Sequence, residues 1–332
     1  MLGPKNGANS NRSLAARRAQ GWRGIGMREA RASRVGARGL ALGLGTLGAA
    51  IARIAVILAF ATMVVGPPDQ ARAENAEISK RRGAERTTFT DREITDGFLK
   101  IAFGAELQIG PRADRIRKFD APVRVFLVNR GAPDRRKEIA AVVADIRARV
   151  NHLDVALTDD RKTANVVVTL VRERDFKQTI RDTFGVARAN EIERSLTPQC
   201  LSGFAKDRHY RIARAEVILP VDAGEFMFYD CAYEELLQAL GPINDDSSVP
   251  WTMFNDDVQM GFFDVYDQYL LNILYDPRVR PGMTKGEVLA LLPQVLPTVR
   301  AWMSRSNSLS GGLDIAPAAK TVQLSRTFPV DR

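Results

Sequence analysis

The sequence predicts an α/β (α+β) domain in which helices pack on a mixed β-sheet. Apolar, β-branched runs bounded by proline or glycine are typical of strands, and they occur at residues 123–128, 166–171 and 212–221. Segments with an apolar residue every three or four positions are typical of helices, and they lie between and after these runs. The resulting order of strand, helix, strand, helix, strand and helix is that of a layered α/β domain.

Each predicted element rests on a local pattern. The run at 166–171 is apolar on both faces, which predicts a central strand. Asp264 can cap a helix that ends before Asp276-Pro277, and Thr284-x-x-Glu287 has the spacing of a capping box. A basic stretch between two prolines predicts a surface loop at 112–119. The predicted helices are 91–104, 133–150, 175–184, 189–196, the segment around 231–240, 264–275 and 284–303.

The positive charge is confined to the N-terminal arm. The chain has 332 residues and a formal charge of +9, and residues 1–53 contain ten Lys or Arg and a single acid, Glu29. The remaining residues contain 38 basic and 38 acidic side chains, so the body is neutral. A neutral body has no charge excess to displace counterions from a phosphate backbone, which argues against nucleic-acid binding.

The arm has the three parts of an export signal. A basic flank precedes an apolar run at 39–65, and Ala71-Arg72-Ala73 offers a small-x-small cleavage site. The alternative is an uncleaved membrane anchor, although Arg53 within the run costs about 2.5–3.5 kcal/mol on insertion scales. Both alternatives place the body outside the cytoplasm, in the periplasm or anchored to the inner membrane. The predicted organisation is an arm with signal or anchor at 1–73, a linker at 74–90, a domain at 91–303 and a flexible tail at 304–332.

The two cysteines of the chain, Cys200 and Cys231, both lie in the body. One pair in an oxidising compartment predicts one disulfide, which would tether the start of the central helix. A reactive thiolate at Cys231 is the alternative, since a helix N-terminus favours the ionised thiol.

The central helix carries a spaced set of polar residues, Glu234-Glu235-x-x-Gln238-x-x-Gly241-x-x-Asn244. The spacing matches the zinc-peptidase pattern H-E-x-x-H-x-x-G-x-x-H, in which the histidines bind the metal and the glutamate is the general base. Glu235 occupies the base position and Gly241 the turn position. Glu234, Gln238 and Asn244 occupy the three ligand positions.

Residues 231–283 resemble the metzincin-type zincins, with Met253 in the position of the Met-turn methionine and the helix at 264–275 closing the subdomain. The patterns C-x-x-E-E-x-x-Q-x-L-G-x-x-N-D and D-x-x-L-L-x-x-L-Y-D-P-x-x-x-P-G-M more closely resemble the DUF2927 family over residues 90–283. This resemblance implies a zincin-like mixed sheet, a motif helix and a C-terminal helical subdomain. It also implies an exported protein to which no activity is assigned.

The departure from the peptidase pattern determines the expected function. Zinc prefers His and Cys ligands, whereas the two histidines, His152 and His209, lie outside the motif and are expected at the surface. We therefore expect no cofactor, no metal and no catalysis, but a retained binding cleft for an envelope protein or peptide. Its residues are Glu234, Glu235, Gln238, Gly241, Asn244, Asp245 and Met253. Three alternatives stay open: a hydrolase with Glu235 as base and a non-standard metal, weak binding of a cation such as calcium, and a purely structural envelope protein.

Overall fold

The fold is built on a five-stranded mixed sheet, described in a computed structural model for residues 74–105, 114–195 and 198–308. The strand order is β2-β1-β3-β5-β4; the first four strands are parallel, and β4 runs antiparallel to β5 at one edge. The strands are β1 Val123–Asn129, β2 Val155–Leu157, β3 Val166–Val171, β4 Leu201–Lys206 and β5 Ile212–Pro220.

The middle strand β3 confirms the prediction drawn from its apolar composition. Val168 pairs with Leu127 of β1 and with Val217 of β5, and all three side chains are buried. A strand that is covered on both faces reads as a continuous apolar run, because neither set of its alternating side chains meets water.

Eight α-helices surround the sheet in the described part of the chain, so the α+β fold class is confirmed. The helix at 225–239 packs on β4 and β5. The helices at 265–275 and 285–308 contact each other, and both contact the helix at 91–101. The helices are α1 Ala76–Gly83, α2 Asp91–Ile101, α3 Arg136–Arg149, α4 Phe176–Phe184, α5 Val186–Ser195, α6 Glu225–Ala239, α7 Val265–Tyr275 and α8 Lys285–Ser308.

The capping signals in the sequence mark real helix starts. The Asp264 side chain caps α7 by accepting a bond from the backbone N–H of Asp267. Thr284, immediately before α8, and Glu287, in its first turn, accept bonds from each other's backbone N–H groups. Pro293 and Pro297 lie inside α8, which continues through both positions.

The polar segment at 74–90, expected as a linker, contains α1 and packs onto the body. Ile78 is buried, and the Arg81 Nη1 atom donates to the backbone oxygen of Gln259. The Arg82 guanidinium lies over the Phe262 ring. The aliphatic stem and the planar guanidinium of arginine pack well on aromatic rings. A segment rich in arginine can therefore cover apolar surface even though its composition is polar.

The surface loop predicted at 112–119 is wrong for positions 116–119, which are buried, whereas Asp114 is exposed. The Arg117 Nη2 atom donates to the backbone oxygen of Gly104, just beyond the C-terminal end of α2. The Lys118 Nζ atom donates to the backbone oxygen of Leu274 at the C-terminal end of α7. Helix C-termini present unbonded carbonyls and partial negative charge, which helps to hold two consecutive cations in the interior. Asp120 and Asp276 also favour the charged form of Lys118.

The predicted disulfide between Cys200 and Cys231 is present, and it joins the residue before β4 to the middle of α6. The expectation that it tethers the start of the helix is wrong, because α6 already begins at Glu225. No helix in the described ranges combines the length and the apolar character that crossing a bilayer requires. The apolar run at 39–65, the cleavage site after Ala73 and most of the tail at 304–332 lie outside the described residues.

Candidate functional site

The face of α6 that turns away from the apolar core borders a cavity of about 370 Å³. Leu236 and Leu237 are buried on the core side of this helix, and Glu234, Glu235 and Gln238 line the cavity. Residues one turn apart share a helix face, which is why Glu234 and Gln238 open into the same space. Met227, Asp230 and Cys231 of the same helix also line the cavity, and the remaining lining residues come from positions 195 and 198–201 and from the loops at 245 and 255–259.

The cavity is acidic. Five carboxyl groups line it, and the described lining residues include no Lys, Arg or His. The five are Asp230, Glu234, Glu235, Asp245 and Asp256.

Gln238 connects the edge strand β4 to Asp245, one of the lining acids. Its Oε1 atom accepts a bond from the Ser202 hydroxyl at 3.2 Å, and its Nε2 atom donates to Asp245 Oδ1 at 3.0 Å. Ser202 lies on β4, so this amide orients the Asp245 carboxylate from a strand on the rim of the cavity. Gln238 is buried and uses both polar atoms in the protein, which makes it a positioning residue.

Asp230 holds in place the loop at 258–261, part of which lines the cavity. Its Oδ1 atom accepts bonds from the backbone N–H groups of Met260 and Gly261, at 2.7 and 3.0 Å. These bonds fix the loop that carries Val258 and Gln259 into the cavity lining.

Several of the lining acids are buried close to one another, and this raises their pKa values. Burial raises the pKa of Glu234 well above its ordinary value, and the carboxylates of Glu235, Asp245, Asp230 and Asp256 raise it further.

The pKa values of two other lining acids are raised by a smaller amount. Burial, and then the nearby Asp256, raise the pKa of Asp245 to about 6, although the bond from Gln238 opposes the shift. Burial raises the pKa of Asp230 to about 6 against its two backbone bonds. Near pH 7 Asp230 and Asp245, with pKa values of about 6, are therefore mostly ionised. Arg81 favours the ionised form of Asp230 from outside the lining, and the described lining itself contains no basic residue.

Three of these acids are close enough to share a cation. Glu234, Asp245 and Asp256 each offer a carboxylate oxygen, and these oxygens lie within 4.8 Å of one another. That separation is about twice a Ca²⁺–oxygen bond, and an all-oxygen set suits Ca²⁺, Mg²⁺ or Mn²⁺ better than zinc.

The structure brings together part of the predicted site. Glu234, Glu235, Gln238 and Asp245 line one cavity, whereas Gly241, Asn244 and Met253 are not among its lining residues.

Each of these three residues has another role. The Asn244 Nδ2 atom donates to the backbone oxygen of Lys100 at the end of α2, so this side chain fastens two elements together. Met253 is buried, and its backbone N–H donates to Asp267 Oδ2 at 2.8 Å. Gly241 makes the turn that the pattern predicts, with φ of +142°.

Sequence reasoning missed Asp230 and Asp256 as members of the site. Asp256 lies in an Asn-Asp-Asp run of the kind that forms turns, and no spacing rule connects it to a helix more than 15 residues away. Asp230 lies four residues before Glu234, so helical periodicity does place it on the same face of α6.

The fold and the cavity define an α+β domain whose motif helix borders an acidic, disulfide-framed cavity, with Cys200 and Cys231 both in the lining. The family described as proteins of unknown function (DUF2927) matches residues 91–294, which is more than half of the chain. The chain belongs to this family. No curated protein and no solved structure matches it.

Proposed function

We propose that this protein is an exported, non-catalytic binding module of pseudo-peptidase type, and that its acidic cavity holds a cationic side chain of an extended partner segment. The observation that carries the proposal is that five carboxyl groups and no basic residue occur among the described residues of the lining. A lysine or arginine side chain entering this space would relieve the mutual repulsion of the acids, and burial would strengthen the attraction.

The position of the cavity supports an extended segment as the ligand. Leu201, the first residue of edge strand β4, belongs to the lining, and Ser202 contacts the site through Gln238. An edge strand presents unpaired backbone groups, so a partner segment can add to the sheet while one of its side chains enters the cavity.

The absence of histidine from the motif supports a binding role over zinc catalysis, since Glu234 and Gln238 occupy two of the positions where a zinc peptidase has imidazoles. The signal-type N-terminal sequence and the disulfide support a position outside the cytoplasm, in the periplasm or at the inner membrane.

The test compares two blocked pentapeptides in calorimetric titrations of the full chain, one with a central lysine and one with acetyl-lysine. We expect the lysine peptide to bind at least about tenfold more tightly, which corresponds to about 1.4 kcal/mol for one charge interaction. Glu234→Gln should remove this preference. Glu216→Gln is the matched control, because Glu216 is a half-buried acid outside the cavity lining. Equal binding of both peptides to the wild-type chain would refute the proposal.

A metal-dependent hydrolase with Glu235 as general base is the second candidate, favoured by the close approach of Glu234, Asp245 and Asp256. It requires Ca²⁺ or Mn²⁺ to bind at one ion per chain and a peptide substrate to be cleaved only while Glu235 is intact. Asp256→Asn should then abolish cation binding, while Asp257→Asn, a neighbouring exposed acid outside the lining, should leave it unchanged. Elemental analysis and titration that detect no bound cation remove this candidate.

A purely structural envelope protein is favoured instead if Gln238→Ala lowers the unfolding temperature while no peptide binds. Gln238 bridges β4 to the loop at Asp245, so its loss can weaken the fold without any ligand being involved.

A further inference from the structure

Three carboxyl groups converge at the N-terminal end of α7, outside the cavity lining. Asp264 is the N-cap of this helix and Asp267 lies in its first turn. Glu85, from the connection between α1 and α2, accepts a bond from the backbone N–H of Val265 through Oε1. Asp264 and Asp267 are 1% and 0% exposed, so neither acid can be stabilised by bulk water.

The two aspartates differ in how their oxygens are bonded. Asp267 accepts a bond from the Thr252 hydroxyl at Oδ1 and one from the backbone N–H of Met253 at Oδ2. Asp264 accepts the Asp267 N–H at Oδ1, but no donor reaches its Oδ2 atom within the described residues. A buried ionised oxygen without a donor is strongly unfavourable, whereas a protonated Oδ2 can itself donate to the carboxylate of Asp267.

We propose that Asp264 and Asp267 share one proton, and that this proton keeps the turn at Thr252 and Met253 bonded to the N-terminal end of α7. With the proton on Asp264, the Asp267 carboxylate accepts three bonds and holds the turn. Without it, two buried negative charges repel each other. The chain leaves the turn directly into Asn255 and Asp256 of the cavity wall, so loss of the proton loosens that wall.

The surrounding charges favour retention of the proton. Burial raises the pKa of Asp264 well above its ordinary value, and the charge of Asp267 raises it further. Burial likewise raises the pKa of Asp267 to about 6, and Glu234 adds to this shift. The pair therefore keeps its shared proton well above the ordinary aspartate range and loses it only as the pH rises further.

The groups that face the cluster from other elements are Glu85, Arg82, Arg149 and, from α6, Glu234; the Tyr266 hydroxyl lies on α7 itself. Burial, and then Asp264, raise the pKa of Glu85 to about 7, while Arg82 and Arg149 favour its ionised form. Tyr266 donates to the backbone oxygen of Glu93, and burial and the nearby acids keep it neutral by raising its pKa. The two arginines act on Glu85, so within the described residues the aspartate pair has no cationic partner of its own.

The Trp251 side chain is a spectroscopic probe of the turn at Thr252 and Met253. It precedes Thr252, and its ring lies 5.8 Å from the rings of Phe89 and Tyr266 and under the Arg86 guanidinium. In the full chain labelled with fluorotryptophan, the Trp251 signal in ¹⁹F NMR can be assigned through Trp251→Phe. We expect it to move between two limiting positions as the pH is raised from 5 to 10.

The decisive variant is Asp264→Asn, because the amide can accept the Asp267 N–H through oxygen and donate permanently to the Asp267 carboxylate through nitrogen. The Trp251 signal of this variant should stay at the acid limit throughout the titration. Asp276→Asn is the matched control at the other end of α7 and should respond as the wild type does. A wild-type signal that does not move, or an Asp264→Asn signal that moves as the wild type does, would overturn the proposal.

A second measurement covers the case in which Asp264→Asn does not fold. The infrared spectrum of wild-type chain labelled with ¹³C-aspartate at pH 8 should contain the carbonyl band of a protonated aspartic acid. The absence of that band would equally overturn the proposal.

Discussion

Gly241 is the residue at which the chain leaves α6 and turns toward the loop of the cavity. Its φ of +142° lies in the region that side chains rarely adopt, and an added Cβ atom would lie 2.3 Å from the backbone oxygen of Arg117. The same Arg117 caps α2, so this single position sets how closely α6 approaches the buried basic segment.

We predict that Gly241→Ala destabilises the fold by about 2–4 kcal/mol, because it combines an unfavourable backbone conformation with a backbone clash. Denaturant unfolding measures the change. Gly286→Ala is the matched control, since its Cβ meets nothing within 4 Å, and it should be neutral or stabilising by up to about 1 kcal/mol. Equal effects of the two substitutions would show that the contact with Arg117 does not constrain the turn.

The residues of the site that could be predicted from sequence are those related by helical periodicity. Glu234, Glu235 and Gln238 follow from the period of α6, and Asp245 follows from the turn after it. Asp256 could not be found, because it reaches the cavity through a loop whose path depends on tertiary bonds such as that from Met253 to Asp267. The metzincin-type spacing assigned the third ligand position to Asn244, whose side chain bonds Lys100 instead.

At the scale of elements, the strands that the sequence revealed are the ones with a run of apolar, β-branched residues. β1, β3 and β5 were predicted, whereas β2 and β4 were not. β2 has three residues, and β4 contains Gly203 and exposed positions at its end, so neither has an apolar pattern of its own. Both lie at edges of the sheet and are formed mainly by pairing with a neighbour that is already in place.

The disulfide is the element-scale feature that joins the weak strand β4 to α6. It closes a loop with a sequence separation of 31 residues, which in the chain-entropy model stabilises the fold by about 3.7 kcal/mol. We predict that replacing Cys200 and Cys231 together by serine lowers the free energy of unfolding by about that amount.

Denaturant unfolding with and without a dithiol gives the control for this prediction. Reduction should destabilise the wild type to the level of the double variant and should leave the variant unchanged. A loss below about 1 kcal/mol would mean that β4 is held in place by the bond of Ser202 to Gln238 and by packing alone.

At the scale of the whole molecule, the buried acids set how stability depends on pH. Four carboxyl groups have pKa values raised to about 6 or 7 by burial, so the folded state binds protons more tightly than the unfolded chain between about pH 4 and pH 7. Stability from these groups is complete below their unfolded pKa values and is lost as the pH rises through the folded ones. The four are Glu85, Asp230, Asp245 and Asp267.

We therefore predict a higher unfolding temperature at pH 5 than at pH 8, measured by calorimetry on the full chain. Exposed acids with lowered pKa values, such as Glu93 and Glu287, act in the opposite sense only below about pH 4.5. Glu85→Gln should flatten the curve between pH 6 and pH 8, because it removes the acid with a pKa of about 7. A wild-type unfolding temperature that rises from pH 5 to pH 8 would contradict the account.

The central claim is that Glu234 sits in an uncompensated acidic cavity that recruits a cation, and a carboxyl ¹³C NMR titration of this residue tests it most directly. With the resonance assigned through Glu234→Gln, the free protein should titrate well above the ordinary glutamate value of about 4.3. The lysine pentapeptide should lower the pKa of Glu234, because a bound cation favours the ionised form, and the acetyl-lysine peptide should not. A Glu234 carboxyl that titrates near its ordinary value, or that responds equally to both peptides, would contradict the claim.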